Sequence, residues 1–504
     1  MDDNLREYYK ALYFTDFNSS PHDYGYSGKL SGAMYAIGEI KDAVPIIHGS
    51  AGCGFHYKYV CRRGYLPAYN AQCTELEEED IIFGGEEKLR AAIIKTVEKY
   101  SPSMIAVIPA TSVDMTYAEV DSVIKSLSNT MSCKIIAVNS EKFSHVDKRN
   151  RGRAIEDSIK NWDGSCRKNT FEFSKGCGFS EAMTAIVENL MTGQEPREKS
   201  VNICGFAWGA GGSAIVDGMA RELKALDIEV NAFIPNCTTQ ELITAPRAAL
   251  NIVTRRIPWA RRMKELYGTE YFQAGTFENY RGISGIERLY LEISLALGIG
   301  KPASQSLVNR KNQIYRELGE VREYFDKFTF ALVSSDYRGL PYYIEEYERE
   351  YGIRLKYVCV RMKEEDMVFD GISKETKELL MKNIRLALLN SGSKAQLLQE
   401  TTEEELLAVS GAVDFVLGDQ IPDFPVHAHK FLRGTGKVIP MDMAGYGNMI
   451  KGFASIIRKK SGPDWQNRDE AFCLPEYYSG VENLNLKGSR KMWEELWLQR
   501  RYGT

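Results

Sequence analysis

The stretch His48-Gly-Ser-Ala-Gly-Cys53-Gly holds the residues best suited to chemistry. It follows the apolar run Ala43-Val-Pro-Ile-Ile47, which reads as a strand. A thiol on a glycine-rich turn after a strand is well placed to coordinate metal, because Gly52 and Gly54 let the backbone approach a bulky cluster. Cys61 lies eight residues beyond Cys53 and Cys73 lies twenty beyond it. Neither spacing is the Cys-x-x-Cys of a structural zinc site. Spacing alone therefore leaves Cys53 equally readable as a buried structural thiol.

Two glycine motifs stand beside it. Phe83-Gly-Gly85 precedes Glu86-Glu87 and an amphipathic helix over 88–100; glycines at the start and carboxylates in the first turn suit helix capping. Gly209-Ala-Gly-Gly-Ser213 follows a strand and opens a helix, a context that suits phosphate. It is neither Gly-x-Gly-x-x-Gly nor a Walker loop, so it reads as a tight strand-to-helix turn.

The elements that position these residues repeat one pattern: a short β-rich run, a small-residue turn, an amphipathic helix, and another β-rich run. It occurs over 103–138, 201–234, 328–360 and 413–440, the last closing on an expected strand at 437–440. Continuous apolar runs alternating with helices predict parallel sheets buried on both faces. The fold class is α/β, with three Rossmann-like domains of parallel sheets flanked by helices. Boundaries are placed at 1–199, 200–327 and 328–460, with an aromatic and basic tail over 461–504. A polar excursion is expected over 141–175, a break at 298–303, and a long helix over 306–327.

At about 150 residues per domain, 504 residues also suggest three domains. Lys plus Arg number 64 and Asp plus Glu 68, which argues against a nucleic-acid binder. No run of 18 apolar residues occurs, so no membrane span is expected. The start, Met-Asp-Asp-Asn-Leu-Arg, lacks the apolar segment of a secretory signal. Ten cysteines are too few for a disulfide scaffold in a chain this long. They read as reduced thiols of a cytoplasmic protein.

The run from Gly38 to Cys53 resembles the cluster-binding strand and turn of the nitrogenase component 1 family. The segment 78–89, with its Phe-Gly-Gly, follows at about the family distance. The segments 102–109, 244–252, 301–311 and Gly445-Tyr-Gly447 are similar to that family too, so the resemblance runs from about residue 26 to 458.

The departures define what the resemblance implies. Catalytic subunits of the family each supply three cysteines to an interfacial iron–sulfur cluster. Here the upstream position falls at Ser27 or Gly28 and the downstream one near Thr111, so only Cys53 stands. One cysteine cannot hold a cubane, which needs about four ligands. A partner must supply the rest, or Cys61, Cys73, Cys177 or Ser174 must help. Neither Cys61 nor Cys73 matches a family ligand, so a single-ligand arrangement is the expectation. The stretch 251–256 has no cysteine and 441–447 no histidine, where α-type chains hold their active-site cofactor. His427 and His429 read as ordinary residues.

The resemblance thus implies a β-type (K- or N-like) subunit of a nitrogenase-like reductase. It would share a [4Fe–4S] or P-cluster-like group with an α-type partner, in an α2β2-type hetero-oligomer. An ATP-dependent iron protein would deliver electrons, docking at Phe83, to a substrate site mainly on the partner. Cys53, Gly52, Gly54 and His48 form the cofactor-binding turn, and Ser27, Thr111 and His48 would tune the cluster. Two alternatives are an N-like scaffold for metallocofactor assembly and a cluster-free Rossmann-like binding protein.

Overall fold

A computed structural model describes residues 29–62, 70–110, 113, 117–128, 130–138, 178–205, 212–253, 258–274, 280–334, 339–361, 374–418, 431–433 and 440–461. The 141–175 excursion, the Gly209–Gly211 part of the glycine turn, and the tail from 462 lie outside them.

The first sheet has the order β2-β1-β3-β4, all parallel: β1 Ala43–His48, β2 Gln72–Cys73, β3 Met104–Pro109 and β4 Lys134–Ala137. The apolar runs of β1 and β3 put almost every side chain out of water, as strands covered on both faces must. Helices α1 Lys29–Gly38, α2 Ala51–Arg62, α3 Glu78–Phe83, α4 Glu86–Tyr100 and α5 Tyr117–Ser128 accompany it. α4 turns Leu89, Ile93 and Thr96 inward at helical spacing and carries Glu86 and Glu87 in its first turn.

Next come α6 Gly178–Asn189 and the second parallel sheet, β6-β5-β7-β8. Its strands are β5 Arg197–Cys204, β6 Glu229–Ile234, β7 Ala248–Val253 and β8 Glu270–Gln273. Helices α7 Gly212–Ala225, α8 Thr239–Ile243 and α9 Pro258–Tyr267 lie between them. The first two sheets share one core, in which Ile37 of α1, Phe179 of α6 and Trp259 of α9 meet Ile108 and Ile234.

The third sheet, β11-β10-β9-β12-β13, is also parallel and has five strands. They are β9 Phe330–Ser334, β10 Leu355–Val360, β11 Gln396–Leu398, β12 Phe415–Gly418 and β13 Phe431–Arg433. The helices are α10 Gly282–Ala296, α11 Gly300–Glu317, α12 Gly319–Phe325, α13 Leu340–Glu345, α14 Lys374–Asn390, α15 Glu403–Gly411 and α16 Met443–Lys460. Tyr290, Tyr446, Phe325 and Phe453 tie α10, α12 and α16 into the core shared by the second and third sheets.

One local expectation is corrected. The helix expected over 306–327 is two helices, α11 and α12, divided at Leu318; Gly319 opens the second and weakens continuation through the joint. It also begins earlier, at Gly300, after Gly298 with φ +73° ends the preceding segment. The strand paired with β12 is Phe431–Arg433; of the strand expected over 437–440, residues 437–439 lie outside the described residues.

Candidate functional site

The site is built at the carboxyl end of β1, the position where open parallel sheets bind ligands. Leu76 N–H donates to Gly49 O at 2.9 Å and Ala110 N–H to His48 O at 2.8 Å, so neighbouring chain clamps the turn on both sides. A Cβ on Gly49 would stand 2.5 Å from the Cβ of Ala110, so this approach needs glycine.

The turn is shorter than its sequence suggests. Cys53 lies in the first turn of α2, and its N–H donates to Ser50 O at 3.0 Å. Its Sγ is 3.6 Å from Ser50 Oγ and half-buried.

Cys73 returns to the same place. β2 pairs with β1 so that Cys73 stands opposite Ile47. Its Sγ lies 3.6 Å from Gly49 O and 3.5 Å from Ser50 O. Burial pushes the Cys73 thiol up, and charge on Cys53 pushes it the same way. Cys133, Cys204, Cys237 and Cys359 are buried, and burial raises each of their thiols; Cys359 is pushed up to about 12.

His48 is buried beneath the turn's β1 end. It is only 1% exposed, with Nδ1 3.2 Å from Thr74 Oγ1. Thr74 Oγ1 also accepts from Gly49 N–H at 3.0 Å. A Cβ on Gly85 would lie 3.1 Å from His48 Cε1, so Gly85 lets the start of α4 close over the ring. Burial lowers His48 to about 4, leaving a neutral imidazole that locks the turn at neutral pH.

Phe83 ends α3 and projects to solvent, 86% exposed, beside Ile82 at 72%. Gly84, at φ 111°, makes the sharp passage into α4. Lys88 holds the helix by ion pairs to Asp80 at 2.6 Å and Glu77 at 3.2 Å. Glu78, Glu79, Glu86 and Glu87 flank the aromatic in sequence with exposed carboxylates.

The family model of the nitrogenase component 1 type oxidoreductases matches residues 29–163 and 165–453. The chain belongs to that family. The cofactor biosynthesis protein NifE of Clostridium pasteurianum is 27% identical over 306 residues, 58% of this chain and 59% of that one. The nitrogenase molybdenum-iron protein alpha chain of Methanosarcina barkeri is 26% identical over 272 residues, 50% of this chain and 44% of that one. A NifE of Rippkaea orientalis is 24% identical over 432 residues, 82% of each chain. The chain spans about half the length of the first of these curated relatives. Among solved structures, one titled "Nitrogenase Cp1 at pH 6.5" superposes with a TM-score of 0.53 at 17% identity, covering 85% of this chain and 91% of that one. That likeness concerns the fold.

Within this component 1 chain, several expected site residues fall outside the described residues: Ser27, Thr111, Ser174 and Cys177, with His427 and His429. Cys61 lies on α2, its side chain undescribed. Among the described residues no three His, Cys, Asp or Glu side chains converge as a metal site. None of the described helices is long and apolar enough to cross a membrane.

The two segments lacking the α-type ligands have structural tasks. Asn251 lies in a buried asparagine ladder: Asn231 Nδ2 donates to Asn202 Oδ1, and Asn202 Nδ2 to Asn251 Oδ1, both at 2.8 Å. In 441–447, Asp442 caps α16 by accepting from Gly445 N–H at 2.7 Å. Arg221 pairs with Asp442 at 3.0 Å. Glu222, fully buried, accepts from Met443 N–H at 2.8 Å and pairs with Arg310 at 2.8 Å. Thr74 and this ion network carried no motif; their partners lie 25 to 221 residues away.

Proposed function

We propose that this chain is one subunit of a nitrogenase-like oxidoreductase and holds part of an iron–sulfur cluster at an interface with an α-type partner. The observation that carries the reading is Cys53: a half-buried thiol one helical turn beyond the carboxyl end of β1. The donors fit the group, since soft thiolates at a glycine-relieved turn suit iron and sulfide. A cubane needs about four ligands, so ligands from another chain complete it.

When bound, such a [4Fe–4S] or P-cluster-like group supplies one-electron relay between an ATP-dependent iron protein and a substrate site mainly on the partner. The chain's own residues set the geometry. Cys53 holds the group, with the Ser50 hydroxyl near its sulfur. Neutral His48 and Thr74 fix the turn. Phe83, an exposed aromatic flanked in sequence by exposed carboxylates, offers the iron protein a docking point. The free thiols suit a reducing cytoplasm.

The β-type assignment rests on the missing cysteine in 251–256 and the missing histidine in 441–447, and the α2β2-type assembly on the resemblance to the family. A second reading, a scaffold for metallocofactor assembly, is favoured by the NifE names among the relatives. Anaerobic co-purification with the products of neighbouring genes tests both. The reductase reading expects reductase-dependent substrate turnover, and the scaffold reading expects transfer of a metallocofactor to an apo-acceptor. A preparation without iron or sulfide sinks both and leaves a cluster-free binding protein.

A further inference from the structure

We infer that Cys73 is a second thiolate ligand of the metal site at Cys53, so that the chain presents a two-thiolate half-site rather than one ligand. The inference deepens the function proposed above and rests on it for the identity of the bound group.

The distribution of thiols is the first argument. Six cysteines have described side chains, and four of them are buried. Cys53 and Cys73 alone among the six are half-exposed, and they stand together although twenty positions separate them in sequence. The two-residue strand β2 brings Cys73 back, pairing it with Ile47 at the end of β1.

Geometry is the second argument. Both sulfurs rest on the same turn, Cys53 Sγ 3.6 Å from Ser50 Oγ and Cys73 Sγ 3.5 Å from Ser50 O. Gly54, adjacent to Cys53, faces the Cys73 side chain directly. A Cβ there would lie 2.8 Å from Cys73 Cβ and 3.1 Å from its Sγ. The start of α2 is thus drawn against Cys73 to a distance that only glycine permits. Two adjacent thiolates repel each other, and a cation bound between them removes that cost. With two ligands here, a four-ligand cluster takes two from across the interface rather than three.

Cobalt(II) titration of the full-length, reduced chain under anaerobic conditions reads the ligand count directly. Thiolate-to-cobalt charge transfer scales with the number of bound thiolates. The wild type is expected to show a two-thiolate band, Cys53→Ser and Cys73→Ser about half of it, and the double variant none. In the unmutated chain, cobalt should protect Cys53 and Cys73 equally from iodoacetamide, read at each site by mass spectrometry. This second readout holds even where a serine variant folds poorly. No band in the wild type, an undiminished band in Cys73→Ser, or a Cys73 that alkylates freely with cobalt bound overturns the inference. Iron-loaded complex in which Cys73 still alkylates would leave the proposed function standing and remove Cys73 from it. Cobalt held by both thiols in a chain that never acquires iron and sulfide would do the reverse.

Discussion

Gly54 and Cys73 approach so closely that a Cβ on the glycine would stand 2.8 Å from the cysteine's Cβ. Gly52, two residues earlier, would place its Cβ no nearer than 3.9 Å to Ser50 Oγ. The two glycines of one motif therefore answer to different constraints. Gly54→Ala should destabilise the protein by about 1–3 kcal/mol through overpacking. Gly52→Ala should be neutral or stabilising by up to about 1 kcal/mol, since alanine suits an exposed helical position better. Denaturant midpoints of the two variants check this; equal effects would contradict the close approach.

His48 gives the site a pH signature. Its ordinary value near 6.5 is lowered to about 4 by burial, so the unfolded chain binds the proton more readily than the folded one. Stability from this group is therefore complete above about pH 6.5 and is lost as pH falls toward 4. The loss amounts to about 3 kcal/mol at most. Urea titrations at pH 7 and pH 4.5 should show a steeper loss for the wild type than for His48→Gln. Equal slopes would place the histidine in contact with water.

Part of this was legible in the sequence. Continuous apolar runs such as Met104–Pro109 announced parallel strands, because full burial on both faces leaves no polar alternation to read. His48, Cys53 and Phe83 stood out by motif. Cys73 did not, because its pairing depends on a two-residue strand too short to carry a periodic signal. The same holds for Thr74 and for Glu222, whose carboxylate meets Met443 N–H across 221 residues. The helix expected over 306–327 was misjudged at Leu318–Gly319 because apolar spacing continued across the joint while the backbone did not.

Phe83 tests electron delivery. It is exposed and makes little of the core, so Phe83→Ala should change folding stability by no more than about 0.5 kcal/mol. Reduction by the iron protein, followed by stopped-flow absorbance, should slow markedly. An unchanged rate would remove Phe83 from the docking surface.

The buried cysteines supply the contrast. Cys133 and Cys204 lie within apolar cores. Serine at either position should cost about 1–3 kcal/mol by burying a hydroxyl, and iron content per folded chain should not change. Iron loss from either variant at constant fold would point to a ligand set other than the one at β1.

The central claim is that Cys53 holds a cluster completed by another chain, and iron with acid-labile sulfide per chain measures it. Wild type expressed alone should contain little of either. Co-expression with the partner subunit should raise both toward a four-iron cluster per interface, and Cys53→Ser in the same co-expression should abolish that rise while the chain remains folded. A full four-iron cluster on the isolated monomer, or undiminished iron in the co-expressed Cys53→Ser complex, would contradict it.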